Sequence, residues 1–156
     1  MRLKIKVQAP NFALLDQDDK KHKLSDYLGR WILLYFYPND DTPGCTKEAC
    51  AIRDSFPDFK KLGITVLGVS VNSVKSHKKF ALKYKLPFTL LSDESKVVVK
   101  KYGVWVKKKF MGREYMGTLR TSFLIDPSGK ISKIYEKVNP VRHADEVLSD
   151  LRALLK

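Results

Sequence analysis

At 156 residues, the chain matches the length of one domain of about 150 residues. A hydrophobic fraction of 44% with 11% aromatic side chains supports a packed core and excludes wholesale disorder despite 30% charged residues. The two cysteines are too few for a disulfide-stapled scaffold, and the net charge of +13 leaves open whether an acidic partner is bound.

Residues 1–7 alternate charged and apolar side chains, with no apolar core region or small-residue cleavage site, so the start of the chain does not read as a secretory leader and the protein reads as cytoplasmic. Residues 31–37 (WILLYFY) are continuously apolar and end at Pro38, as expected of a central strand covered on both faces. This run is far shorter than the roughly 20 residues that span a bilayer, so no membrane partner is expected. Residues 64–71 form a second buried-strand pattern.

Between these strands, Cys45, Ala49, Ile52, Phe56 and Phe59 recur at helical spacing, with Pro57 expected to kink or end the C-terminal part. A second helix is predicted after Asn72 or Ser73, with Val74, Phe80 or Ala81, and Tyr84 as its apolar stripe. A third is predicted over 95–102, stopped by Gly103. Residues 88–91 read as a strand, and 121–125 joins 131–135 through an Asp-Pro-Ser-Gly turn as a hairpin. A last helix is predicted from Pro140, carrying Val141, Ala144, Val147, Leu148, Leu151, Leu154 and Leu155. The order is a βαβ unit followed by ββα, which is an α/β, thioredoxin-like arrangement. It predicts one domain over 1–156, with a central mixed sheet, flanking helices, and additions at the N-terminus and mid-chain.

Basic pairs and runs at 20–21, 60–61, 78–79, 100–101 and 107–109 are scattered and attached to no recognition motif. They read as solvated surface, with no nucleic acid expected as a partner.

The chemically informative segment is 38–50, PNDDTPGCTKEAC. With Thr42 as N-cap and Pro43 at the first helical position, Cys45 falls in the first turn, where free N–H groups and the helix dipole favour an anion and a thiol should ionise more readily. Taken alone, Cys45 also fits a small buried hydrophobe on the helix's apolar stripe. Pro38 and Pro43 restrict the loop, Gly44 permits close approach to the sulfur, and Thr42 offers a hydroxyl. Cys50 lies five residues on, a rise of about 7.5 Å in a helix. A Cys45–Cys50 disulfide therefore requires the first turns to unwind. Asp40, Asp41 and Glu48 read as surface charges without a role, and His22, His77 and His143 as ordinary surface or packing residues.

The pattern P-x-x-x-T-x-x-C at Pro38, Thr42 and Cys45 resembles the peroxiredoxin active site. Thr-Pro-Gly-Cys-Thr with a second cysteine five residues later resembles the bacterioferritin comigratory protein, or Q type, group. The likeness extends from Ala9-Pro10-Asn11-Phe12 to residues 121–126. It implies a thiol peroxidase in which Cys45 is peroxidatic and Cys50 resolving. Thr42 would hydrogen-bond the sulfur and peroxide, and Pro38 would shield the thiolate. Arg120 would stabilise it and the developing charge. Thioredoxin or a similar dithiol would recycle a monomeric enzyme that uses no metal or other cofactor. The preferred peroxide is left open among hydrogen, alkyl and lipid hydroperoxides. A disulfide oxidoreductase is the weaker enzyme reading because C-x-x-C is missing. A nucleic-acid module rests only on the charge.

Overall fold

The computed structural model describes residues 3–156; the first two residues of the stretch read as lacking a leader lie outside the described residues. In chain order the strands are β1 (Ala13–Asp16), β2 (Lys21–Lys23), β3 (Trp31–Phe36), β4 (Ile64–Ser70), β5 (Thr89–Ser92), β6 (Trp105–Phe110), β7 (Arg113–Thr118), β8 (Thr121–Ile125) and β9 (Ile131–Tyr135). The helices are α1 (Pro43–Asp54), α2 (Phe56–Lys61), α3 (Val74–Tyr84), α4 (Val97–Lys101) and α5 (His143–Leu154).

Seven strands form one mixed sheet in the order β2-β1-β5-β4-β3-β8-β9, while β6 and β7 pair only with each other. β3 lies parallel to β4 and antiparallel to β8, so its unbroken apolar run is explained by strands on both edges and cover on both faces. Leu33, Tyr35 and Tyr37 point to the face covered by Ala49 and Ile52 of α1, Phe80 of α3, and Val147 and Leu151 of α5. Ile32, Leu34 and Phe36 point to the other face, against Phe12, Val98, Val99 and Tyr102. This is the α/β, thioredoxin-like arrangement, with β1–β2 as the N-terminal addition and β6–β7 as the mid-chain one.

The helices differ from the expectation in detail. The first helix breaks at Ser55, two residues before Pro57, and continues as α2, because Pro57 sits in the opening turn of the new helix where its missing N–H costs nothing. The last helix begins at His143 and not at Pro140. The Asn139 side chain accepts the N–H groups of Val141 and Arg142, holding the preceding residues in a turn, and Val141, Leu154 and Leu155 are exposed. In α3 the buried stripe is His77, Phe80 and Ala81. The Gly103 stop holds, with Tyr102 capping the shorter α4 and Gly103 at φ +70°.

Candidate active site

β3 delivers the chain through Pro38 into a loop that is tied down by Asp40. Its carboxylate accepts from the Tyr37 hydroxyl at 2.6 Å and the Ser76 hydroxyl at 2.7 Å, and meets His77 Nδ1 at 2.7 Å. The Asp40 N–H donates to Asn72 Oδ1 at 2.9 Å, and the other ring nitrogen of His77 meets the Leu91 carbonyl at 2.9 Å. The loop is thus fastened to the ends of β3 and β4 and to α3, and through His77 to β5. This corrects the reading of Asp40 as a surface charge, since its side chain is 5% exposed. Asp41 does remain at the surface, paired with Lys83 at 2.7 Å and accepting from Tyr84.

Thr42 has extended N-cap backbone, Pro43 opens α1, and the Thr46 N–H closes the first turn on the Thr42 carbonyl at 2.8 Å. Cys45 therefore sits in the first turn, as expected, and is buried in the core. The Thr42 hydroxyl donates to the Asn39 carbonyl at 2.9 Å and not to the sulfur, in contrast to the expectation from resemblance. With its proton engaged there, its oxygen keeps lone pairs for an incoming donor.

The partner of the sulfur comes from far along the chain. Thr121 pairs with Phe36 in the antiparallel β3/β8 ladder, so Arg120, one residue earlier, emerges beside the C-terminal end of β3 where the loop begins. Arg120 Nη2 donates to Cys45 Sγ at 3.3 Å, and Nη1 donates to Glu48 Oε1 at 2.7 Å. Burial opposes the guanidinium charge, but Cys45 and Glu48 outweigh it and hold Arg120 above its already high ordinary value. Gly44 leaves room for this approach.

Glu48 overturns the surface-charge expectation most sharply. Its side chain is 0% exposed, and burial pushes its carboxyl up to about 7 against the opposing pull of Arg120. Its position was legible in principle, because it lies three residues after Cys45 and four before Ile52, on the buried stripe itself. His77 was similarly signalled by its spacing from Val74 and Ala81. The Tyr35 ring packs directly against Gly68 of β4, and burial, with Glu48 and Cys45 nearby, keeps its phenol protonated.

Cys50 lies farther along α1, half-buried, and both cysteines are free. The intact helix keeps them apart, as the spacing required. His22 pairs with Asp16, and His143 is buried against Ser122, so the three histidines take packing or surface roles. Among the described residues no group of three or more His, Cys, Asp or Glu could hold a metal ion, and no helix is long and apolar enough to cross a membrane.

A buried first-turn cysteine held by a distant arginine now has direct comparisons. Residues 5–134 match the model of the AhpC/TSA family. The chain belongs to that family, within the peroxiredoxins of the Bcp and Q group. A putative peroxiredoxin Bcp of Coxiella burnetii is 47% identical over 97% of this chain and 100% of its own length. Peroxiredoxin Bcp of Escherichia coli K12 is 46% identical over 92% of each. Among solved structures, a Xylella fastidiosa PrxQ superposes with TM-score 0.94 at 34% identity, covering 100% of this chain and 99% of that one. A Xanthomonas campestris bacterioferritin comigratory protein, described for its alkyl peroxide reduction activity, gives TM-score 0.91 at 34% identity over 98% and 100%. This peroxiredoxin is accordingly a thiol peroxidase, an oxidoreductase of antioxidant function on the thioredoxin fold.

Proposed function

We propose that this peroxiredoxin reduces hydrogen peroxide and organic hydroperoxides at Cys45, with Cys50 as the resolving thiol. The observation that carries the reading is the 3.3 Å contact between Arg120 Nη2 and Cys45 Sγ. A fixed cation there favours the thiolate, which is the nucleophile, and stabilises charge on the departing oxygen. The sulfur attacks one peroxide oxygen, the O–O bond breaks, and the leaving oxygen takes a proton to depart as water or alcohol, leaving Cys45 as a sulfenic acid. Thr42, its own proton committed to Asn39, accepts the proton side of the bound peroxide, while Gly44 gives backbone access and Pro38 shields the sulfur from bulk water.

The Cys50 thiol then attacks the sulfenic sulfur, forming the disulfide and releasing water, after the first turns of α1 open. Thioredoxin or a similar dithiol restores both thiols by exchange. We read the enzyme as a cytoplasmic, one-domain monomer, since the second thiol lies in the same chain.

The test mixes reduced protein with one equivalent of hydrogen peroxide and follows free thiols and intact mass. Wild type should lose both thiols quickly, Cys45→Ser should lose activity, and Cys50→Ser should accumulate a sulfenic acid at Cys45. Slow, equal oxidation of both cysteines, or turnover by Cys45→Ser, would overturn the assignment.

A further inference from the structure

The β6–β7 hairpin takes no part in the thiol chemistry, yet it is the most conspicuous surface feature. Every residue from Lys109 to Met116 is exposed, so the outer half of the hairpin packs against nothing on either face. Its two-residue turn, Met111-Gly112, has φ +51° and +80°, the left-handed pair of a type I′ turn. Asn or Asp is favoured at the first of these positions, and a methionine there is strained without local benefit. Met111 is 88% exposed and the adjacent Phe110 67%, the two most exposed large hydrophobic side chains among the described residues, with Tyr115 and Met116 also exposed behind them.

The charges around this apolar tip are nearly all of one sign. Lys107, Lys109 and Arg113 are exposed beside it. The hairpin's one acid, Glu114, is paired with Lys107 at 3.3 Å. At the root, Lys96 lies over the Trp105 ring at 5.6 Å and Lys108 donates to the Thr118 carbonyl. An apolar apex with cations set back along its sides matches the layering of an anionic bilayer, hydrocarbon below and charged headgroups above.

We propose that the β6–β7 hairpin docks this protein on anionic lipid surfaces, with Phe110 and Met111 entering the headgroup boundary and Lys109 and Arg113 engaging lipid phosphates. This departs from the expectation of no membrane partner, which rested on the shortness of the apolar runs along the sequence. β7 leads through Leu119 and Arg120 into β8, so the hairpin is joined in the chain to the strand beside the reactive loop.

The test is sedimentation of the reduced full chain with vesicles of phosphatidylcholine alone and of equal parts phosphatidylcholine and phosphatidylglycerol. Binding is expected only to the anionic vesicles. A Phe110→Ser/Met111→Ser variant should bind about tenfold or more weakly, from the lost apolar burial. An Arg113→Glu variant should lose binding chiefly at low salt. Cys45→Ser should bind as wild type, so failure of the thiol assignment leaves docking untouched. Near-native peroxide consumption in solution by the tip variant would show that its fold is intact. Absence of binding to anionic vesicles overturns the proposal. So does binding that the tip substitutions leave unchanged, which would assign it to the general +13 surface. Tip substitutions that slow only reduction by the dithiol donor, with no vesicle binding, would make the hairpin a protein contact instead.

Discussion

Gly44 lies directly against Arg120: a Cβ at residue 44 would stand 3.0 Å from Nη2, the atom that donates to the Cys45 sulfur. The guanidinium, 19% exposed and held on its other side by Glu48, has little freedom to retreat without leaving the sulfur. Gly44→Ala is therefore expected to slow oxidation of Cys45 by peroxide about ten- to a hundredfold, because sub-ångström misplacement of a charge-stabilising donor is costly. The glycine has no left-handed φ, so thermal stability should change little. Stopped-flow measurement of the first thiol oxidation checks this, and an unchanged rate would show that Arg120 acts from a different position.

Glu48 gives a pH signature of stability. Its folded carboxyl stands at about 7 against an ordinary 4.5, so between these values the folded state holds a proton that the unfolded state has released. Stability should consequently fall as pH rises through that window and level off above about 7, by up to about 3 kcal/mol from this group. Glu48→Gln removes the titration. The difference in unfolding free energy between wild type and variant, plotted against pH, should slope across the window, and a flat difference would contradict the burial argument.

The Asp40–His77 pair should behave as a single unit. Their side chains are 5% and 0% exposed, so removing either partner leaves the other one hydrogen bond short in the core. Asp40→Asn and His77→Gln are each expected to cost about 1 to 3 kcal/mol, the loss typical of a buried hydrogen bond that leaves one partner unmet. The double variant should cost clearly less than the sum of the two. Urea denaturation of the four proteins measures the coupling, and strict additivity would mean that the loop is held by its other bonds.

How much of this was legible in the sequence depended on whether the signal was local. The uninterrupted apolar run of β3, the Thr42-Pro43 start of α1 with Cys45 in its first turn, and the Gly103 stop each depend on neighbouring residues, and each is found. The Arg120 contact with Cys45 spans 75 residues and exists only because β8 runs antiparallel beside β3; composition and spacing carry no trace of it, and only resemblance pointed to Arg120. Glu48 and Asp40 were missed for a different reason. Their residue types argue for the surface, and burial prevails because Arg120 for Glu48, and Tyr37, Ser76 and His77 for Asp40, supply the partners that make it tolerable. The β6–β7 hairpin was hidden by its lysines, which read as a charge run where the backbone forms a free-standing ribbon.

Because Cys45 is a member of the same packed cluster as Ala49 and Ile52, the helix that presents the sulfur also behaves as a spring on its electrochemistry. In the proposed cycle the dithiol form keeps α1 wound and the disulfide form must leave it open. Whatever free energy the wound helix contributes is then available only to the reduced protein. By the closed thermodynamic cycle this raises the reduction potential of the Cys45–Cys50 couple, making the disulfide an easy target for a donor dithiol. Core substitutions beneath α1, such as Ile52→Val, would thereby tune how readily the enzyme is recharged without touching a reacting atom.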